Sequence, residues 1–112
     1  MLYRKLNILG TEYEVYIESE YTDEKLESCD GYCDKTTKKI VVTEKTKTCN
    51  LGDFEVYQRK IIRHEIIHAF LFESGLHENW EKNAGHDETM VDWIACMFPK
   101  MKVAFEEAGC LE

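Results

Sequence analysis

"DFEVYQRKIIRHEIIHAFLFESG", residues 53 to 75, is the stretch on which the fold turns. Asp53 suits an N-cap and Gly75 a C′ stop, and between them Ile62, Ile66, Ala69 and Phe70 recur at helical spacing. The spacing predicts a helix from about Phe54 to Ser74, with those four side chains facing a sheet. Within it His64, Glu65 and His68 stand in the order H-E-x-x-H. Positions i and i+4 share a helix face, so His64 and His68 can point two imidazoles at one ion. Glu65, one residue round, sits beside such an ion without having to bind it. That is the place for a general base acting on water. The competing interpretation is that both histidines lie on the wet side of an amphipathic helix and meet no metal.

A catalytic zinc needs a third protein ligand and one open position. Downstream of the stop the candidates are His77, Glu78, Glu81, His86, Asp87, Glu88 and Asp92. His77 misses the H-E-x-x-H-x-x-G-x-x-H pattern, because position 71 is Leu and position 74 is Ser. Residues 76 to 86 form a polar connection, after which Asp87 caps a second helix through "ETMVDWIACMF". Val91, Ile94, Ala95 and Phe98 make its apolar side. Pro99 is expected to bend or interrupt it before "KMKVAFEEAG" adds a terminal turn or two. Glu88 opens this helix after nineteen intervening residues from His68 and is the better-placed third ligand. Asp92, one turn on, is suited to accept the free N–H of a ligand histidine and fix its tautomer. Taken singly, Glu88 is a first-turn acid favoured by the helix dipole and Asp92 a solvated charge.

The first half of the chain predicts strands. "LYRKLNIL" and "TEYEVYIE" flank Gly10, and Tyr13, Val15 and Ile17 alternate with Glu12, Glu14 and Glu18. Residues 20 to 28 are charged, a short helical turn or a loop. In "GYCDKTTKKIVVT" the segments 32–34 and 39–43 are the arms of a hairpin turning at Lys35, Thr36 and Thr37. Strands first and helices after define an α+β class, a small mostly antiparallel sheet of three or four strands with helices on one face.

The 112 residues suit a single domain over the whole chain. A formal charge of −8 repels nucleic-acid phosphates and anionic lipid, so neither is expected as a partner. "MLYRKLNILGTEYEVYIE" has no long apolar run and does not suit a signal peptide, and nothing approaches the roughly 18 apolar residues of a membrane span. The five cysteines are odd in number and irregularly spaced, as expected of reduced thiols in the cytosol. Cys29 and Cys33 have a zinc-compatible spacing but no matching second pair, and are expected to be buried or half-buried structural residues.

His64-Glu65-x-x-His68 followed by Glu88-x-x-x-Asp92 resembles the gluzincin arrangement of metallopeptidases. More narrowly, "RHEIIHAFLFESGL" with "HDETMVDWIACMFPKM" is similar to short metallopeptidase-like proteins of phages and prophages in Gram-positive bacteria, relatives of the ImmA/IrrE-type family. That family follows H-E-x-x-H with E-x-x-A-N-x-F-A, which Glu88, Val91, Asp92, Ile94 and Ala95 match approximately. The likeness is strongest over residues 60 to 101, and "DGYCDKTTKKIVV" shares it more loosely. It implies a zincin-like fold, zinc held by His64, His68 and Glu88, and a catalytic base at Glu65. It implies also a sheet whose edge strand borders the cleft and a phage- or prophage-borne protein in a bacterial cytoplasm. Members often cleave a helix-turn-helix repressor, but no such domain is attached here, so the target stays open.

The expected function is therefore a zinc metallopeptidase hydrolysing a peptide bond in a protein substrate, which would add as a strand beside residues 39 to 43. A zinc-binding regulatory module without turnover is the alternative, and the intact Glu65 counts against it. A structural domain without metal is the third. His77 and His86 are the nearest candidates for a group that steadies a developing oxyanion.

Overall fold

A computed structural model of the chain describes residues 1–44, 49–79 and 87–111. Tyr13, Val15 and Ile17 alternate with glutamates as a half-buried strand requires, and they form the inner face of β2 (Thr11–Glu18), where Tyr13 and Val15 are buried. β1 (Leu2–Ile8) pairs with it antiparallel. Leu9 and Gly10 join the two, both at positive φ. A two-residue hairpin turn of this hand asks for that conformation, and glycine adopts it without strain. Asn7 Oδ1 accepts the Gly10 N–H at 2.7 Å and closes the turn.

After a 3-10 turn at Glu24–Glu27 come β3 (Gly31–Asp34) and β4 (Lys39–Thr43), the predicted hairpin. Asp34 shapes their turn by accepting the N–H groups of Thr36 and Thr37. These bonds, the Thr36 hydroxyl foremost, hold the Asp34 carboxyl down to about 2. The sheet order is β1-β2-β4-β3, with β2 and β4 parallel and the other two pairs antiparallel. β4 is thus interior, and it is the most buried strand. Among the described residues the edge strand on the helical side is β3, so the placement of an added strand beside residues 39 to 43 is corrected. The hairpin gives β4 one partner locally, but its second partner, β2, comes from a distant crossover.

α1 (Phe54–Glu73) begins at Asp53, whose side chain accepts the Val56 N–H, and stops before Gly75 at φ 82°. It packs on β3 and β4, with Ile61 and Ala69 joining the core of Ile8, Tyr13, Val15, Ile40 and Val42. Ile62 and Ile66 are half-buried against that core, but Phe70 is exposed. The expected four-residue apolar stripe is rotated because Glu65 and His68 occupy the buried face themselves. Glu73, at the negative end of the helix dipole, is offset by the Lys38 ammonium at 2.7 Å and by the hydroxyls of Tyr13 and Thr11.

α2 (Leu76–Asn79) is a single turn. α3 (Glu88–Ala108) starts at Asp87, which accepts the Thr89 N–H, and runs on through Pro99. Pro99 therefore does not interrupt the helix, which ends at Gly109 in the left-handed region. α3 makes its main contact with α1 rather than with the sheet, a correction to the picture of two helices on one sheet face. Only Val91 and Ala95 of α3 are buried; Ile94 is half-buried and Phe98 exposed. Among the described residues no helix is long and apolar enough to cross a membrane.

Candidate metal centre

The contacts His68–Glu88, His64–Asp92 and Arg63–Ala95 step down α1 as they climb α3, so the two helices run antiparallel. This brings the first turn of α3 over the middle of α1. Glu88 Oε1 lies 2.8 Å from His68 Nε2, and Glu88 Oε2 lies 3.0 Å from His64 Nε2. The two Nε2 atoms are 3.1 Å apart. Ligands on a tetrahedral zinc with bonds of about 2.0–2.1 Å stand about 3.3 Å from one another, and each histidine lies near that distance from the other and from one of the two Glu88 oxygens. Among the described residues this is the group of His, Cys, Asp or Glu side chains whose donor atoms converge tightly enough for a metal ion.

Asp92 decides which nitrogen of His64 faces the group. Its Oδ1 lies 3.1 Å from His64 Nδ1 and also accepts the Lys60 ammonium at 3.0 Å. The Lys60 hydrogen bond foremost, with that of His64 assisting and partial burial opposing, holds the Asp92 carboxyl below its ordinary value. An ionised carboxylate only accepts, so His64 donates from Nδ1 to Asp92, and its Nε2 faces Glu88 Oε2 and His68 Nε2. In the neutral ring that Nε2 offers a lone pair, and two imidazole nitrogens converging with a carboxylate are a donor set that fits zinc.

Glu65 is only 6% exposed. Burial first, opposed by His64 and then assisted by the Glu88 carboxylate, pushes its carboxyl up to about 7. Two cavities flank it, of about 300 Å3 on the side of Tyr32, Cys33, His68 and Phe72, and of about 200 Å3 on the side of Asp30, Tyr57, Lys60 and Asp92. Gly31, His64 and Glu65 line both, so the two form one cleft along β3. A β-carbon at Gly31 would come within 2.8 Å of Ile61 Cγ2 and 3.1 Å of the Val41 carbonyl, so glycine lets the strand edge lie this close to α1.

Cys33 lies in the cleft wall, half-buried as expected, whereas Cys29 is exposed, against expectation. Burial chiefly, and Glu65 next, pushes the Cys33 thiol up to about 12, and its sulfur is not part of the converging donor group. Of the other candidate ligands, Asp87 is engaged as the α3 cap. The His77 ring meets Phe72 edge-on at 4.9 Å, and Phe72 stacks on His68 at 6.3 Å, so His77 buttresses the aromatic wall. Glu81 and His86, and the side chain of Glu78, lie outside the described residues. Lys60 was missed from sequence, although it stands four residues before His64 and hence on the same face. No family model, curated protein or solved structure matches the chain.

Proposed function

We propose that the chain is a zinc metallopeptidase of the gluzincin type with a zincin-like fold, hydrolysing a peptide bond in a protein or peptide substrate. The observation that carries this reading is the convergence of His64 Nε2, His68 Nε2 and the Glu88 carboxylate beside the buried Glu65. When bound, zinc supplies a Lewis acid that polarises a carbonyl and lowers the pKa of water to about 7. The chain's own residues do the rest. His64, His68 and Glu88 hold the ion, and Asp92, itself fixed by Lys60, sets the His64 tautomer. Glu65, buried beside the three donors and not needed as one of them, would take a proton from water and return it to the leaving amine.

The outer edge of β3 supports the substrate class. Among the described residues that edge has no neighbouring strand and runs along the cleft, so an extended peptide would pair beside Gly31–Asp34 and send neighbouring side chains into the two cavities. A bacterial cytoplasm and a phage or prophage origin belong to the same proposal and rest on the sequence resemblance.

Incubating a host lysate with wild type and with Glu65→Gln tests turnover. The amide cannot take the proton, so new protein termini should appear with wild type and fall by about 10²- to 10⁴-fold with the variant. Equal fragments from both would reject Glu65 as the base. A zinc-loaded wild type that yields no fragments would favour a zinc-binding regulatory module without turnover.

A further inference from the structure

Glu88 reaches the two histidines from another helix, so the proposed site depends on α3 standing at one axial position against α1. The buried side chains of α3, Val91 and Ala95, are apolar and make no directional contact of their own. A directional contact adds what the packing lacks. Arg63, immediately before His64, donates its Nε–H to the backbone carbonyl of Ala95 at 2.6 Å. In an α-helix that carbonyl would accept the N–H four residues on, but the residue there is Pro99, which has none. Ala95 is fully buried, and a buried carbonyl requires a donor. Pro99 thus opens an acceptor in the helix interface, and Arg63 fills it from the facing helix. Ala95 lies one turn beyond Asp92 and two beyond Glu88, so a tie at this level governs where both carboxylates meet the histidines.

We propose that Arg63 is a positioning residue: through the Ala95 carbonyl that Pro99 leaves open, it sets the register of α3 on α1 and so seats Glu88 and Asp92 against His64 and His68. This rests on the zinc reading above. It makes metal affinity depend on a side chain that is not a ligand and on a proline three turns from the nearest ligand in its own helix.

The test is zinc affinity of the full chain, measured by competition with a chromophoric chelator, beside thermal unfolding of the metal-free proteins. Arg63→Met should bind zinc on the order of 10-fold more weakly, the lower end of what losing an orienting partner costs. Arg63→Lys, which keeps a donor, should recover part of that loss. If Arg63→Met does not fold, the double variant Arg63→Met with Pro99→Ala returns an intrahelical N–H to the Ala95 carbonyl while still lacking the tie. It should fold and still bind zinc about 10-fold more weakly than wild type. A folded Arg63→Met or double variant that matches wild-type affinity overturns the inference and leaves the zinc reading intact. A wild type that binds no zinc overturns both.

Discussion

Glu65 is a carboxyl that burial strips of most of its hydration, and in metal-free protein this has a thermodynamic signature. Its folded value of about 7 lies above the ordinary 4.5, so the folded chain holds the proton more tightly than the unfolded one. The stability contributed by the neutral form is complete below about 4.5 and is lost as pH rises through about 7, to a total of about 3 kcal/mol. Urea unfolding of chelator-treated protein should therefore show a fall in stability from pH 5 to pH 8 that Glu65→Gln removes. The same slope in both proteins would assign the pH dependence to other groups. Asp92 acts through His64, so Asp92→Ala should weaken zinc binding by about 10- to 100-fold without abolishing it. A zinc titration indistinguishable from wild type would reduce Asp92 to a surface charge paired with Lys60.

At the scale of elements, the edge of β3 and the face of α1 approach most closely at Gly31. Gly31→Ala forces a β-carbon against Ile61 and the Val41 carbonyl, and overpacking of this kind costs about 1–3 kcal/mol. Thermal unfolding should register that loss, and an unchanged midpoint would mean that β3 moves freely away from α1. The ends of the elements were legible because local chemistry sets them: Asp53 and Asp87 cap, Gly10 turns and Gly75 stops. The buried face of α1 was not. Periodicity assumes that apolar residues face inward, but Glu65 and His68 are buried here while Phe70 is exposed. The interior position of β4 was equally hidden, since its parallel pairing with β2 joins segments more than twenty residues apart. Pro99 was expected to bend or interrupt α3, and nothing in one sequence said that Arg63 would fill the Ala95 carbonyl in place of a break in the helix.

Across the whole molecule, the site lies where three separately encoded pieces meet: the middle of α1, the first turn of α3 and the edge of β3. Spacing singled out His64, His68 and Glu88, because i, i+4 geometry and a capped helix start are local signals. The cleft that surrounds them was not legible, because Gly31, Tyr57 and Lys60 converge only in the folded chain. The claim on which the rest depends is that this meeting point holds zinc through these three side chains. Metal analysis of protein purified without added zinc tests it most directly. Wild type and Glu65→Gln should each carry about one zinc per chain, while His64→Ala and Glu88→Ala should lose it, since two remaining protein ligands hold zinc poorly. Folded wild type without zinc, or stoichiometric zinc in Glu88→Ala, would contradict the account.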